Sequence, residues 1–99
     1  MRRVVITGMG IYSCIGKNQN EVLKSLYTGK SGIILDQERK SFGYRSGLMG
    51  MVDRPDLKGL LDRRARIMMP EQAEFAYIST LEALKQAGFD EQYLEQHEV

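Results

Sequence analysis

The run RVVITG at residues 3–8 constrains the fold more than any other part of the sequence. Its β-branched residues do not alternate with polar ones and they end at a glycine, which predicts a strand buried on both faces of an α/β sheet. Such a strand needs neighbours to pair its backbone N–H and C=O groups. Since no equally strong second strand follows in the sequence, we expect residues 1–99 to be a segment of a larger domain.

Two helices are predicted from their end signals. Asn18 and Glu21 have capping-box spacing, and Gly29 suits the C′ position that ends the first helix. Pro70 suits the first position of a longer helix, and Gly88 suits its C′ position. Each helix has an apolar face at helical spacing that we expect to be buried. The first face is Val22, Leu23, Leu26 and Tyr27; the second is Ala73, Ala76, Tyr77, Thr80, Leu81, Leu84 and Ala87, widened by Phe75 and Ile78.

The remaining segments carry weaker signals. Residues 30–58 predict loop with short extended pieces at KSGIILD and GLMGMV. Residues 59–69 predict one or two short helical turns, and a further short turn follows Gly88. Together these elements place the chain in the α/β class.

Composition narrows the functional classes. The net charge of +1 favours neither nucleic acid nor a membrane as a partner. A single cysteine, Cys14, excludes an internal disulfide and fits a reducing compartment. No segment has the roughly 18 consecutive apolar residues of a membrane span. We therefore expect a cytoplasmic protein.

The glycines after the first strand have two interpretations. Gly8 and Gly10 match the first two positions of the dinucleotide fingerprint G-x-G-x-x-G, but its third position is Ser13. The first good helix signal comes only at Asn18, too late for a helix N-terminus to meet a pyrophosphate. The favoured interpretation is that these glycines allow close packing of the chain as it leaves the strand.

A wider pattern resembles a known family. RVVITGMGIYSCIG is similar to the N-terminal signature of the β-ketoacyl-acyl carrier protein synthases, the condensing enzymes of fatty acid synthesis. The resemblance covers residues 2–95 and indicates the synthase I branch. It continues through NEVLKSLYTGKSGI, YRSGLMGMV, LLDRRARIMM and AYISTLEALKQAGF.

The resemblance implies the N-terminal part of a thiolase-like fold with layers α/β/α/β/α. Residues 1–99 would be the first segment of the first half, with no second domain in this chain. It also implies a homodimer in the complete enzyme, with neither a cofactor nor a metal.

The family reaction is a decarboxylating Claisen condensation by a cysteine thiolate assisted by two histidines. Those residues belong to later motifs, so the resemblance assigns no catalytic residue here and we expect the chain to be inactive by itself. Cys14 lies where the family often has serine, and His97 is the only histidine. A nucleophile–base pair of Cys14 and His97 is an alternative, but the sequence offers neither an orienting third group nor an oxyanion turn.

The basic cluster carries the remaining functional signal. Arg63, Arg64 and Arg66 fall within four residues, after Arg54 and Lys58. Arginines at this density should face solvent or an anionic partner.

The resemblance implies that Arg45, Arg63, Arg64 and Arg66 help dock acyl carrier protein, which is strongly acidic. Arg66 is the weakest of these matches, since the family's basic residue aligns with Ile67. The alternatives are a merely solvated basic face and a non-catalytic module that binds an acidic carrier.

Overall fold

The computed structural model describes residues 2–97, which contain five helices and two short strands. The chain forms two compact units. The ribbon unit is residues 13–53, and the helical unit comprises the residues up to 12 and from 54 onward. The elements are α1 (Gln19–Thr28), β1 (Ile33–Leu35), α2 (Gln37–Ser41), β2 (Leu48–Gly50), α3 (Arg63–Met68), α4 (Glu71–Ala87) and α5 (Glu91–Gln96). No helix in the described range has the length and apolar character needed to cross a bilayer.

Both predicted ends of α1 are confirmed. The Asn18 side chain accepts a hydrogen bond from the Glu21 backbone N–H at 2.9 Å, and Gly29 ends the helix in the left-handed conformation with φ of 72°. The expected burial of its apolar face is wrong, because Leu26 and Tyr27 are exposed. The helix instead buries Ser25, whose hydroxyl donates to a backbone carbonyl in the segment before the helix.

The two predicted extended pieces of the ribbon unit are confirmed, and they pair with each other. β1 and β2 are antiparallel, with Ile33 opposite Gly50 and Leu35 opposite Leu48. Helix α2 between them was not predicted; its start signal is Asp36, whose carboxylate accepts from the Glu38 N–H at 3.1 Å. A helix this short leaves too little periodic pattern to be recognised in a glycine-rich stretch.

The predicted strand over residues 3–8 is wrong for this structure. Residues 2–12 form no ladder, and Val4 and Ile6 are 95% and 92% exposed. The physical reason is that a strand cannot satisfy its backbone N–H and C=O groups without a neighbouring strand. Within residues 2–97, β1 and β2 are the only paired strands, and they pair with each other.

The end of this segment has a different contact, along α4. A Cβ on Gly8 would lie 2.1 Å from the Ala83 carbonyl oxygen, and one on Gly10 would lie 1.8 Å from the Ser79 carbonyl oxygen. Any larger residue would therefore collide with the helix backbone. The close-packing interpretation of the glycines is confirmed, and no helix starts at them, since α1 begins at Gln19.

Side chains of α4 complete this contact. The Met9 N–H donates to the Gln86 side-chain oxygen, and the Ile11 N–H donates to Glu82, each at 2.9 Å. Tyr12 stacks on Phe75, with ring centroids 5.5 Å apart. Because the segment has no strand neighbour among the described residues, these α4 side chains satisfy part of its backbone.

Helix α4 has the predicted extent, but its contact with the N-terminal segment falls only partly on the predicted apolar face, at Phe75. Pro70 is its N-cap rather than its first residue, and Gly88 ends it with φ of 79°. The N-terminal segment lies on the ridge of Phe75, Ser79 and Ala83, whereas Ala76 and Thr80 of the predicted stripe are exposed. Two other residues of the predicted stripe, Leu81 and Leu84, line an open cleft of about 370 Å³ together with Phe89 and Leu94.

Replacing Gly10 by alanine should destabilise the helical unit. The added methyl meets a backbone carbonyl that cannot rotate away, so we expect a loss of about 1–3 kcal/mol in the free energy of unfolding. Urea denaturation of the variant and the parent protein measures it. The matched control is Gly47→Ala, where the nearest atom is a movable Leu35 methyl at 2.9 Å and the loss should be about 0.5 kcal/mol or less. Equal losses would contradict the close-approach argument.

Candidate functional site

The candidate site is built on α3 and the loop before it. Asp62 caps the helix, and its carboxylate accepts from the Ala65 N–H at 2.7 Å. Before it, the Leu57 carbonyl accepts from the N–H groups of Leu60 and Leu61, both at 3.1 Å. Leu57 itself is 4% exposed and anchors this turn in the helical unit. The predicted helical turns over residues 59–69 are thus confirmed, with α3 at Arg63–Met68.

The arginines of α3 divide into two kinds. Arg63 and Arg64 are exposed, as expected for arginines at this density. Arg66 is half-buried, and its Nε is enclosed without a hydrogen-bond partner in the described part of the chain. Each residue turns about 100° around a helix, so neighbouring arginines on α3 point in different directions. The expectation that arginines at this density face outward therefore fails for Arg66, whose one-residue offset from the family pattern indicated a different direction.

Arg54 is engaged within the unit. Its guanidinium donates from Nε and Nη2 to the two carboxylate oxygens of Glu74, at 2.9 Å and 2.8 Å. Glu71 lies 3.8 Å from the same guanidinium. The Glu74 side chain is 9% exposed, whereas that of Arg54 is 59% exposed. The charge of Arg54 is therefore largely compensated by α4 and contributes less to the basic surface than the sequence indicates.

Sequence reasoning missed this ion pair, although a signal for it exists. Glu74 lies between Ala73 and Phe75 on a helix rich in apolar residues. A carboxylate buried at such a position requires a cation. The sequence does not say which of the nearby basic residues supplies it.

The pair shifts both ionisation equilibria. The hydrogen bonds from Arg54 are the main cause that lowers the pKa of Glu74 below its ordinary value of 4.5, and partial burial acts in the opposite direction. The same hydrogen bonds raise the pKa of Arg54. The charged form of the pair is therefore favoured in the folded state.

The other candidate residues are described separately. Arg45 belongs to the ribbon unit, where it is exposed in the turn before β2. Cys14 is half-buried, and a Cβ on Gly32 would lie 2.6 Å from its sulfur, so it packs as a small side chain. His97 is exposed and stacks on the Tyr93 ring with centroids 4.2 Å apart. Among residues 2–97 no group of three or more His, Cys, Asp or Glu side chains is arranged to hold a metal ion.

Comparison with known proteins identifies the family. The sequence model of the protein family described as "Beta-ketoacyl synthase, N-terminal domain" matches residues 1–99. The chain belongs to this family. The resemblance found in the sequence is thereby confirmed.

The relatives of this β-ketoacyl synthase segment that are 39–47% identical to it are synthase 1 proteins. The chain is 47% identical over 88 residues to 3-oxoacyl-[acyl-carrier-protein] synthase 1 of Escherichia coli K12, covering 89% of the chain and 21% of that protein. It is 39% identical over 97 residues to the synthase 1 of Buchnera aphidicola from Acyrthosiphon pisum, covering 98% of the chain and 24% of that protein. Identity to the synthase 2 of Vibrio cholerae is 26% over 89 residues, or 90% of the chain and 22% of that protein. The chain thus spans about a quarter to a fifth of the length of these relatives.

The ion pair predicts a pH dependence of stability. Because the pKa of Glu74 is lowered on folding, its contribution is full above the unfolded value of 4.5 and is lost as the pH falls through the folded value. The free energy of unfolding of the parent protein should therefore exceed that of Arg54→Gln above this range, and the difference should shrink in acid. Urea denaturation at a series of pH values measures it.

Lys85→Gln is the control for this experiment. It removes a cation from the last turn of the same helix, far along the chain from Glu74. Its difference from the parent protein should stay nearly constant over the acid range. A difference for Arg54→Gln that is also constant would show that Glu74 does not depend on Arg54.

Proposed function

We propose that residues 1–99 form the first segment of the first half of a 3-oxoacyl-acyl carrier protein synthase with a layered thiolase-like fold. The family match and the synthase 1 relatives support this assignment. The exposed β-branched residues of the N-terminal run also support it, since Val4, Val5 and Ile6 are 73–95% exposed. A central strand of a larger sheet would bury such residues and pair their backbone groups.

The proposed reaction elongates a fatty acid by decarboxylating Claisen condensation. A cysteine thiolate of the complete enzyme accepts the acyl group from its carrier as a thioester. Loss of carbon dioxide from malonyl-acyl carrier protein leaves a carbanion, which attacks that thioester carbonyl and releases the thiolate. The family resemblance assigns the catalytic cysteine and histidines to motifs further along the complete enzyme. We therefore infer that this segment supplies scaffold and part of the carrier-binding surface.

The observation that carries the docking proposal is the exposed pair of arginines on α3. Arg63 and Arg64 both face solvent, and no ion pair among the described residues engages either of them. An acidic carrier is attracted to uncompensated positive charge, and such charge steers its encounter. Arg45 joins the proposal by its match to the family pattern and its exposure. Arg66 is its weakest member, because its side chain is turned partly inward.

The proposal places the complete synthase in the cytoplasm as a homodimer, acting without a cofactor and without nucleic acid or membrane partners. The single cysteine and the near-neutral charge of the chain are consistent with that setting.

Reversing the two exposed arginines tests the docking role. In the full-length protein that carries this chain, Arg63→Glu with Arg64→Glu should raise KM for acyl carrier protein substrates roughly tenfold, because repulsion replaces attraction at the surface. Activity on a small acyl thioester of pantetheine should change little. Steady-state kinetics with both substrates measure the two effects.

The matched control reverses two exposed lysines of the ribbon unit, Lys24→Glu and Lys30→Glu. It changes the net charge by the same amount as the arginine variant, so any general effect of charge appears in both. Equal losses on the carrier and on the small thioester would refute docking through Arg63 and Arg64. Carrier binding without turnover by the parent protein would favour the non-catalytic module instead.

A further inference from the structure

We propose that the ion pair of Arg54 with Glu74 positions α3 so that its exposed arginines meet the carrier. The proposal rests on the docking function above and assigns Arg54 and Glu74 as positioning residues that do not touch the partner. Neither residue was singled out by the family pattern, and the inference depends on the contacts within the helical unit.

The geometry closes a loop at its base. Arg54 begins the segment that leads to α3, and Pro70 ends it as the N-cap of α4. Glu74, which binds Arg54, is in the first turns of α4 and is separated from Arg54 by 20 positions. The two ends of the segment are therefore held together at the start of one rigid helix, with α3 between them.

Apart from Leu57, every side chain of this segment is half-buried or exposed. Leu57, at 4% exposure, is also the one buried hydrophobic residue in the described part of the chain. Leu60, Ile67 and Met68 are 51–80% exposed. The capping bond of Asp62 lies within the segment and does not connect it to α4. The two hydrogen bonds between Arg54 and Glu74 are therefore the main polar contact that joins the two ends of the segment. Breaking them increases the number of conformations available to α3.

The effect of removing the negative charge of Glu74 distinguishes positioning of α3 from simple electrostatic attraction of the carrier. Removing Glu74 makes the protein more positive, so attraction for an acidic carrier should increase if charge alone matters. Positioning predicts the opposite, because the arginines must then be ordered when the carrier binds. The same substitution thus gives opposite results under the two explanations.

The experiment compares Glu74→Ala and Glu74→Gln with the parent in the full-length protein. We expect KM for the acyl carrier protein substrate to rise about two- to tenfold in both variants. Activity on the small pantetheine thioester should stay near the parent value. Glu95→Gln is the control, since it removes an exposed carboxylate from α5 of the same unit and should not raise KM.

A double variant shows whether the effect on KM comes from this one interaction and not from a general loss of stability. Arg54→Ala combined with Glu74→Ala should raise KM for the carrier no more than Glu74→Ala alone, because both remove one interaction. Circular dichroism shows whether each variant is folded. Arg54→Lys keeps the charge but loses the two parallel bonds, and should give an intermediate KM.

The possible outcomes distinguish this proposal from the docking function itself. If the Arg63→Glu, Arg64→Glu variant raises KM for the carrier and the Glu74 variants do not, positioning by the ion pair is wrong and docking stands. If the arginine reversal has no effect on that KM, the docking function fails, and positioning fails with it. Equal losses on the carrier and the small thioester in the Glu74 variants would also overturn the proposal, since they indicate general destabilisation.

Discussion

The helical unit depends on the approach of the N-terminal segment to the backbone of α4. Gly8 and Gly10 lie so near the carbonyls of Ala83 and Ser79 that a side chain at either glycine would overlap the helix. This contact uses small residues on both sides, as close backbone approach requires. The N–H groups of the segment are partly satisfied by the long polar side chains of α4 instead of by a neighbouring strand.

Each unit exposes large apolar side chains. Val4 and Ile6 of the helical unit and Tyr27 of the ribbon unit are more than 80% exposed, and Leu57 is the one buried hydrophobic residue in the range that the structure describes. Exposed surface of this kind marks a place where further protein is expected to pack. It agrees with the proposal that the chain is one segment of a layered synthase fold, whose other layers would cover these residues.

The basic surface shows how tertiary contacts redistribute charge. The sequence places several cations near α3, but they are not equivalent in the folded protein. The positive charge of Arg54 is largely compensated by the carboxylates of Glu74 and Glu71. Arg66 is turned partly inward, so Arg63 and Arg64 are the arginines of α3 that are exposed to a partner. The candidate docking surface is therefore smaller and more directional than the sequence indicates.

The sequence by itself determined the family and the local signals. Asn18, Gly29 and Gly88 act at helix ends through bonds and backbone conformations that involve only near neighbours, so their roles follow from spacing alone. The strands at Ile33–Leu35 and Leu48–Gly50 and the helix at Arg63–Met68 were likewise predicted. The exposure of Arg63 and Arg64 follows from the cost of burying a guanidinium.

Only the tertiary structure decided which surfaces meet. The predicted strand at residues 3–8 has no ladder, because a strand exists only with a partner and the sequence of one segment cannot supply it. The working face of α4 contains Ser79 and Ala83, which periodicity placed outside the apolar stripe, since close approach is set by small size and not by hydrophobicity. The partner of Glu74 was also undetermined by the sequence, because an ion pair between residues 20 positions apart depends on how the chain returns to the helix.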